Sequence, residues 1–446
     1  MRRAVAQHRA RVAMATAVAG VMLLAGCSSP APLPVPTATP SASLGPVGDG
    51  VLRIGTLTPL RGDVSAIGPA MIAAVETAVR DVNAAGGVLG VPVETVHRPS
   101  GRDSDDTLEA SFAELVEREV DVIVGPTSAT LAERLAPLAA EAGILVIAPA
   151  ALAPVSHSAD AIAEGGAGDE TEQTDAAGSL AAPTLVALLP DPSLQAVALV
   201  DDVVASGASS LAVLGSSDAA SRALVEAVRA AATSADVRVT AVEQLDALSN
   251  PNRVAFSLAA AAPEGVIVAT SGSLTESLRP VLVALAGRGI TGEALRFAAS
   301  SAVDHEGELP EGTLTGAMGL REGAAVDEDF TARLRQSDPF VRGTRLAPEA
   351  YDAVVLAALA ATIAGADGGT RVAARLADVA SEGIPCLSVG ECLAVLDDGR
   401  EIDYDGLSGP LTMDARGTLT AGAWSLVRYN EAGTPSVEGS IAAARP

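Results

Sequence analysis

The chain has 446 residues, of which 49% are hydrophobic and 2% aromatic, and its formal net charge is −26 at pH 7. An acidic balance of this size disfavours nucleic acid and anionic lipid as partners, because both carry negative charge themselves. The 29 basic residues are all arginine, which excludes a phosphate-binding loop of the GxxxxGK type and with it an intrinsic ATPase.

The N-terminus has the organisation of an export signal. Four arginines precede the apolar run Val12–Leu24, which is shorter than the roughly 20 residues of a membrane-spanning helix. We therefore predict a signal peptide over residues 1–26. The stretch Leu23–Cys27 resembles the lipobox of bacterial lipoproteins, and this resemblance implies lipidation of Cys27 and anchoring to the outer face of the cell membrane. The alternative is an ordinary secretory peptide with an incidental cysteine.

Residues 27–49 are rich in proline among serine, threonine and alanine, so they cannot build a core. We predict an extended tether here. The roughly 400 residues that follow are enough for two or more packed domains rather than one.

Two series of short apolar runs alternate with amphipathic stretches, a pattern typical of parallel strands joined by crossover helices. The first series predicts strands at Leu52–Leu57, Val91–Val96, Val120–Val124 and Ile144–Ile147, with helices at Pro69–Ala84 and around Leu108 and Leu131. The second series predicts helices at Ser193–Ala205 and Ala219–Ala232, with strands at Leu211–Leu214, Val237–Val242, Val266–Ala269 and Leu295–Ala298.

Residues 158–182 separate the two series and lack hydrophobic periodicity. Their alanine, glycine and acidic composition predicts a disordered insertion. Such a tract is either a solvated insertion, which we favour, or a segment that recruits a partner.

The fold class predicted from this pattern is α/β, with two lobes that each contain a doubly wound parallel sheet. Small-residue turns follow several strands, at Gly125–Ser128, Gly215–Asp218 and Thr270–Ser273. Ligands bind at the carboxyl ends of strands in open parallel sheets, so we expect the binding site at these turns.

Cys386 and Cys392 are the two cysteines that lipidation of Cys27 leaves over. Their even number and the exported context predict a disulfide. The spacing excludes a CxxC redox site, and the absence of a nearby histidine disfavours zinc.

Signals for catalysis are absent from the sequence. His305–Glu306 lacks the second histidine of a zinc hydrolase, and no GxSxG elbow is present. We therefore expect no catalytic residues, no metal, no cofactor and no enzymatic activity.

Several stretches together resemble the leucine, isoleucine and valine binding family, the type I periplasmic binding proteins that serve ABC importers. The resemblance covers most of the chain after residue 50. Asp81–Gly90 is the stretch most specific to the family. The stretches are Ile54–Leu60, Asp81–Gly90, Val124–Ser128, Ala142–Ala151, Cys386–Cys392 and Ile402–Leu411.

The resemblance implies two lobes joined by a multi-strand hinge, with a ligand cleft between them. The first lobe would contain residues 50–189 and 313–405, and the second residues 190–312 and 406–446. It implies a monomer that binds a small polar solute, either an amino acid or a related amide or carboxylate. The partners would be an ABC permease with separate ATPase subunits, and the only membrane contact would be the lipid anchor. The alternative is a sensor or structural lipoprotein with an eroded site.

In this family, hydroxyl and backbone N–H groups of the first lobe hold the ligand's carboxylate. Here Thr127, Ser128 and Thr130 supply hydroxyls at the start of a predicted helix, whose N-terminus favours an anion. The same residue types also cap helices, so capping is an equal alternative. Asp218 is a candidate replacement for the acid that pairs with the ligand's ammonium, as are Asp304 and Glu276.

Other positions depart from the family pattern, because Ala129 and Leu152 lack an expected hydroxyl. Ser301 stands where the family has the acid, and Ile67 stands where it has an aromatic residue. The complete set of candidate ligand-binding residues is Ile67, Thr127, Ser128, Ala129, Thr130, Ala150, Ala151, Leu152, Asp218, Ser271 and Ser301.

Overall fold

Five parallel strands form the first sheet, in the order β2-β1-β3-β4-β5. The computed structural model describes residues 47–61, 65–150, 184–270, 275–299, 309–380, 383–414 and 417–444. The strands are β1 (Arg53–Thr58), β2 (Glu94–Pro99), β3 (Val122–Val124), β4 (Leu145–Ala148) and β5 (Leu185–Ala187), and the intervening helices are α1 (Ile67–Ala84), α2 (Thr107–Glu117) and α3 (Ala129–Ala142).

The second sheet has seven strands and repeats the same winding before adding an antiparallel pair. Its helices are α4 (Pro192–Ala205), α5 (Ala219–Ser234), α6 (Pro251–Ala260) and α7 (Thr275–Ala286). Its strands, in spatial order, are β14 (Pro435–Ala444), β13 (Ala421–Tyr429), β10 (Met318–Arg321), β9 (Leu295–Phe297), β8 (Gly265–Ala269), β6 (Ser210–Ser216) and β7 (Arg238–Leu245).

The order of strands reverses between β1 and β3 in the first sheet and between β6 and β8 in the second. These reversals are the switch points at which open parallel sheets bind ligands. The predicted α/β class with two doubly wound lobes is therefore confirmed, and each lobe offers one switch point.

One predicted strand starts too early, because Val91 does not belong to β2. Val88 and Val91 form a bridge across a tight turn, and the Asn83 side chain bonds both the N–H and the C=O of Val93, at 2.7 and 3.2 Å. The apolar residues before Glu94 thus complete a turn that fastens the end of α1.

The rest of the first lobe consists of helices packed against the first sheet and a small two-stranded sheet. They cover residues that the predicted alternation of strands and helices did not assign. These elements are α8 (Glu328–Ser337), α9 (Ala347–Ala364), α10 (Gly369–Ala373), α11 (Leu376–Val379), β11 (Ile384–Cys386), α12 (Val389–Asp397) and β12 (Ile402–Tyr404).

The disulfide predicted between Cys386 and Cys392 is present, with the two Cα atoms 5.3 Å apart. It joins β11 to α12 and is buried, since Cys386 is 3% exposed and Cys392 is 0% exposed.

Helix α9 is the central element of the first lobe. Every residue from Ala347 to Ala361 is buried, which fits a helix that is apolar on all sides. Among the described helices it alone is long and apolar enough to cross a membrane, and 83% of it lies buried inside the protein, as in a core helix.

The chain passes between the two sheets three times. We define the first crossover as residues 188–191, the second as residues 322–327 and the third as residues 405–420. Leu188 belongs to the first-lobe core while Leu194 belongs to the second. Pro190 and Gly422 lie so close that a Cβ atom on the glycine would come within 2.0 Å of the proline ring, so the first crossover packs against the start of β13, which follows the third crossover.

Two predicted lobe boundaries differ from this arrangement. Met318–Arg321 was expected in the first lobe but pairs with β9 and β13 in the second sheet. Leu411 and Leu419 were expected in the second lobe but lie in the first-lobe core. Hydrophobic pattern identifies a strand or a core residue, but it does not say which of two similar sheets the segment joins.

Asp352 on α9 holds the third crossover. Its carboxylate is fully buried and accepts bonds from the Tyr404 hydroxyl at 2.7 Å, from the N–H groups of Leu407 and Ser408 at 3.0 and 2.6 Å, and from the Ser408 hydroxyl at 2.5 Å. Gly406 is required beside it, since a Cβ there would lie 2.3 Å from the carboxylate. Burial raises the pKa of Asp352, and these donors oppose the rise.

The chain enters the first lobe at the end of β1 that is remote from the switch point. Asp367 accepts the N–H groups of Asp49 and Gly50 at 3.1 Å, and a Cβ on Gly48 would lie 2.3 Å from the same carboxyl group. The N–H of Arg53 bonds the Asp121 carboxyl at 2.9 Å. These contacts fasten the segment that follows the predicted tether.

Replacing Asp352 with alanine should lower the free energy of unfolding by about 3 kcal/mol or more, because four donor groups, most of them buried, would lose their acceptor. Urea denaturation measures this change. The control is Asp398→Ala, since Asp398 is exposed and pairs with Arg400 at the surface; its cost should stay within about 0.5 kcal/mol. Equal effects of the two substitutions would contradict the role assigned to Asp352.

Burial, together with the nearby carboxylates of Asp367 and Asp49, raises the pKa of Asp121 to about 7. The folded protein then keeps a proton that the unfolded chain, with a carboxyl pKa of about 3.9, releases. The contribution of Asp121 to stability is therefore greatest below about pH 4 and falls as the pH rises towards 7.

Asp121→Asn should remove this part of the pH dependence, because asparagine still accepts the Arg53 N–H but does not titrate. Urea denaturation from pH 4 to 8 measures the slope, with the exposed Asp201→Asn as control. A slope that is unchanged in Asp121→Asn would show that other groups cause it.

Candidate functional site

The candidate site lies at the carboxyl ends of the parallel strands, next to the switch point of each lobe. We call residues 125–130 the first-lobe loop and residues 216–218 the second-lobe loop. Each one leads directly into a helix, α3 or α5. Both helices therefore direct their free N–H groups and the positive ends of their dipoles towards the same end of the sheet as the loops.

The first-lobe loop begins at a place where only glycine fits. Gly125 has φ +108°, and a Cβ there would lie 2.1 Å from the C=O oxygen of Leu57. Its N–H bonds the C=O of Ile147 at 2.9 Å, and the peptide bond to Pro126 is cis. The turn thus sits close against β1 and β4 and starts α3 at the edge of the sheet.

Ser128 is the N-cap of α3. Its hydroxyl accepts the N–H of Leu131 at 3.4 Å and donates to the Asp103 carboxylate at 2.7 Å. Capping, one of the two roles considered for this residue, is therefore present. The cap satisfies the N–H of Leu131 only. The first two N–H groups of α3, those of Ala129 and Thr130, have no partner in the described part of the chain.

The neighbouring hydroxyls differ from Ser128. Thr127 is half-buried and Thr130 is exposed, and neither side chain has a hydrogen bond to a described residue. Together with the two free N–H groups they form a set of donors suited to a carboxylate.

The Asp103 carboxylate lies beside these donors, and sequence reasoning missed it. Asp103 belongs to the loop before α2, which Arg134 of α3 ties down by bonding the C=O groups of Asp103 and Asp105 at 3.0 and 3.1 Å. The cluster of aspartates at positions 103, 105 and 106 was the signal in the sequence. Nothing in the pattern showed that this loop packs against the start of α3.

In the second lobe, Asp218 caps α5. One carboxylate oxygen accepts the N–H of Ser221 at 2.9 Å and the other accepts the Ser216 hydroxyl at 2.5 Å. The Ser221 hydroxyl in turn bonds the C=O of Ala269 on β8 at 2.5 Å. Ser216 and Ser221, which sequence reasoning did not select, thus fix the second-lobe loop against β8.

Two further candidates lie in the core of the first lobe. Ile67 is 6% exposed and packs with the buried residues of α1 and α9, while Ala150 is 1% exposed and packs beneath α3. Both side chains are therefore buried in the core of the first lobe. Ala151, Leu152, Ser271, Ser301, Asp304 and Cys27 lie outside the described residues, as does the side chain of Glu276.

The arrangement offers hydroxyl and N–H donors on the first lobe and a carboxylate near each loop. Such a set is chemically suited to a ligand that carries both an anionic and a cationic group. Among the residues that the structure describes, no cluster of three or more His, Cys, Asp or Glu side chains could hold a metal ion.

Comparison with known proteins agrees with this geometry. The family model described as periplasmic binding protein matches residues 51–434. The chain is 28% identical over 375 residues to the chemotactic signal transduction system substrate-binding protein BasB of Halobacterium salinarum, covering 81% of this chain and 83% of that protein.

Two solved structures share the fold at low sequence identity. The branched-chain amino acid transporter substrate binding protein LivJ from Streptococcus pneumoniae, in complex with isoleucine, is 18% identical with a TM-score of 0.58, over 88% of this chain and 99% of that one. A branched chain amino acid ABC transporter periplasmic ligand-binding protein from Burkholderia xenovorans is 16% identical with a TM-score of 0.62, over 87% and 95%.

The family match spans nearly all of the chain that follows the predicted tether, and it includes both lobes and the crossovers between them. The resemblance to the leucine, isoleucine and valine binding family is thereby confirmed, and the chain belongs to the periplasmic binding protein family.

Proposed function

We propose that the protein is an extracytoplasmic solute-binding lipoprotein of an ABC importer, and that it closes its two lobes around an amino acid or a related amide or carboxylate. The observation that carries this proposal is the pair of capped helix N-termini, one on each lobe, at the two switch points. A carboxylate fits the free N–H groups of Ala129 and Thr130 together with the hydroxyls of Thr127 and Thr130.

The second half of the ligand is a cation in this proposal. The carboxylates of Asp103 and Asp218 lie at the first-lobe and second-lobe loops, so a ligand ammonium meets negative charge when the lobes close. The isoleucine complex of the Streptococcus pneumoniae neighbour supports an amino acid as the ligand class.

The chain provides a hinge for closure, since three crossovers join the sheets and the first of them packs at Pro190 against Gly422 of β13. Affinity in such a clamp comes from contacts that exist only in the closed state. The permease, the separate ATPase subunits and the lipid on Cys27 complete the proposed importer. Their support is the family, the absence of a lysine for an ATPase motif and the lipobox-like N-terminus.

A sensory role is the second candidate. The observation that favours it is the similarity to BasB, whose name places that protein in a chemotactic signal transduction system. A sensor and an importer receptor share the same solute site, so they differ in the partner that recognises the closed form. Loss of solute uptake in a deletion strain would support the importer, whereas loss of a tactic response with normal uptake would support the sensor.

The first test is a thermal unfolding screen of the mature chain without its lipid, against leucine, isoleucine, valine, other amino acids, benzoate and neutral sugars. A solute at 100 times its dissociation constant should raise the free energy of unfolding by about 2.7 kcal/mol. We expect amino acids or carboxylates to stabilise the protein and sugars to have no effect. Stabilisation by sugars alone would contradict the proposed donor set.

Replacement of Ser128 separates its capping role from a role in binding. Ser128→Ala should cost about 1 kcal/mol of stability through loss of the cap, and it should also weaken solute affinity, because it displaces α3 and frees Asp103. The matched control is Ser388→Ala, which removes the N-cap of α12. It should cost similar stability and leave affinity unchanged, as measured by urea denaturation and calorimetry. Equal affinities in the two variants would show that Ser128 is a cap and nothing more.

A further inference from the structure

Glu349 is a buried carboxyl group at the point where the second crossover enters the first lobe. It lies in the first turn of α9 and is 1% exposed. One oxygen accepts the N–H of Ala324 at 3.1 Å, and the other has no hydrogen-bond partner within the described ranges of the chain. No basic side chain contacts it among the described residues. Asp352 lies one helical turn further on, and its carboxylate, unlike that of Glu349, accepts hydrogen bonds from three residues.

The crossover at this point is held from both lobes. Gly323 has φ +89°, and a Cβ there would lie 3.2 Å from the Glu349 carboxyl group. On the opposite side, the C=O of Gly323 accepts both the N–H and the hydroxyl of Ser425 in β13, each at 2.7 Å. The peptide between Gly323 and Ala324 thus joins a first-lobe carboxyl group to a second-lobe strand.

We propose that Glu349 is the positioning residue of the hinge, and that its neutral carboxyl group keeps the second crossover in place while ionisation releases it. A charged carboxylate with one donor and no cation is unfavourable in the core, so ionisation favours an arrangement in which water reaches the carboxylate and the crossover separates from it. The Ala324 N–H opposes this separation, because a carboxylate accepts it more strongly than a neutral acid does, but burial outweighs it. This inference deepens the proposed lobe closure and rests on it, because it makes the balance between open and closed forms depend on pH.

The charges around Glu349 favour the neutral form. Burial raises the pKa of its carboxyl group to about 8, and the carboxylates of Asp352 on α9 and Glu322 on the crossover add to the rise. Glu322 is itself paired with Arg345, which precedes α9, at 2.5 Å. The folded protein keeps this proton between about pH 4 and pH 8 and loses it above pH 8.

The test uses the mature protein without solute, so it gives an answer even where no solute has been found. Hydrogen exchange of the Ala324 amide reports its bond to Glu349, and small-angle scattering reports the separation of the lobes. In the wild type, protection of this amide should fall about tenfold between pH 7 and pH 9, because only about a tenth of Glu349 stays neutral at pH 9. The radius of gyration should rise over the same range.

Glu349→Gln mimics the neutral carboxyl group and should show neither change, whereas Glu328→Gln, at an exposed site on α8, should behave as the wild type. A pH transition that survives in Glu349→Gln, or that is absent from the wild type, overturns the proposal. The wild-type profile decides alone if Glu349→Gln does not fold. Failure of the solute screen together with a clear pH transition would reject the proposed ligand class and leave the hinge inference standing.

Discussion

Two carboxyl groups on one buried helix connect the lobes of this protein. Asp352 and Glu349 lie three residues apart on α9, and each bonds a different crossover. A carboxyl group in a core is costly unless donors surround it, and the chain meets this cost with backbone N–H groups of the crossovers. The rest of the first lobe depends on the same helix, because α1, α10, α11 and α12 pack around it.

Through these bonds, two lobes with similar sheet topology are connected to each other. Each has the same winding and places a switch point at the end of its central strands. The helix caps at Ser128 and Asp218 use side chains to satisfy local N–H groups, and they keep the loops rigid on either side. In the proposed closure, motion would be concentrated in the crossovers, where glycines at positions 323 and 406 allow close packing.

The sequence predicts local structure well where hydrophobic period and length coincide. The strands before and after α5 and the helix α1 lie within a few residues of their predicted bounds. The family resemblance also located the first-lobe loop. The sequence did not reveal α9 as a core helix, because its apolar residues show no periodicity. Nor did it identify Asp103 and Ser221, whose roles arise from contacts with residues distant in the chain.

The fastening of residues 48–50 to Asp367 has a mechanical consequence. These residues lie at the start of β1, and the switch point lies beyond its other end. On the proposed lipid anchor, a pull on the predicted tether would reach the protein at these residues. Tension in the tether would pass through Asp367 into the carboxyl end of α9, and through β1 into the sheet of the first lobe. Glu349 and Asp352, which bond the crossovers, lie near the other end of the same helix, so a pull from the membrane would reach the first lobe far from the crossovers.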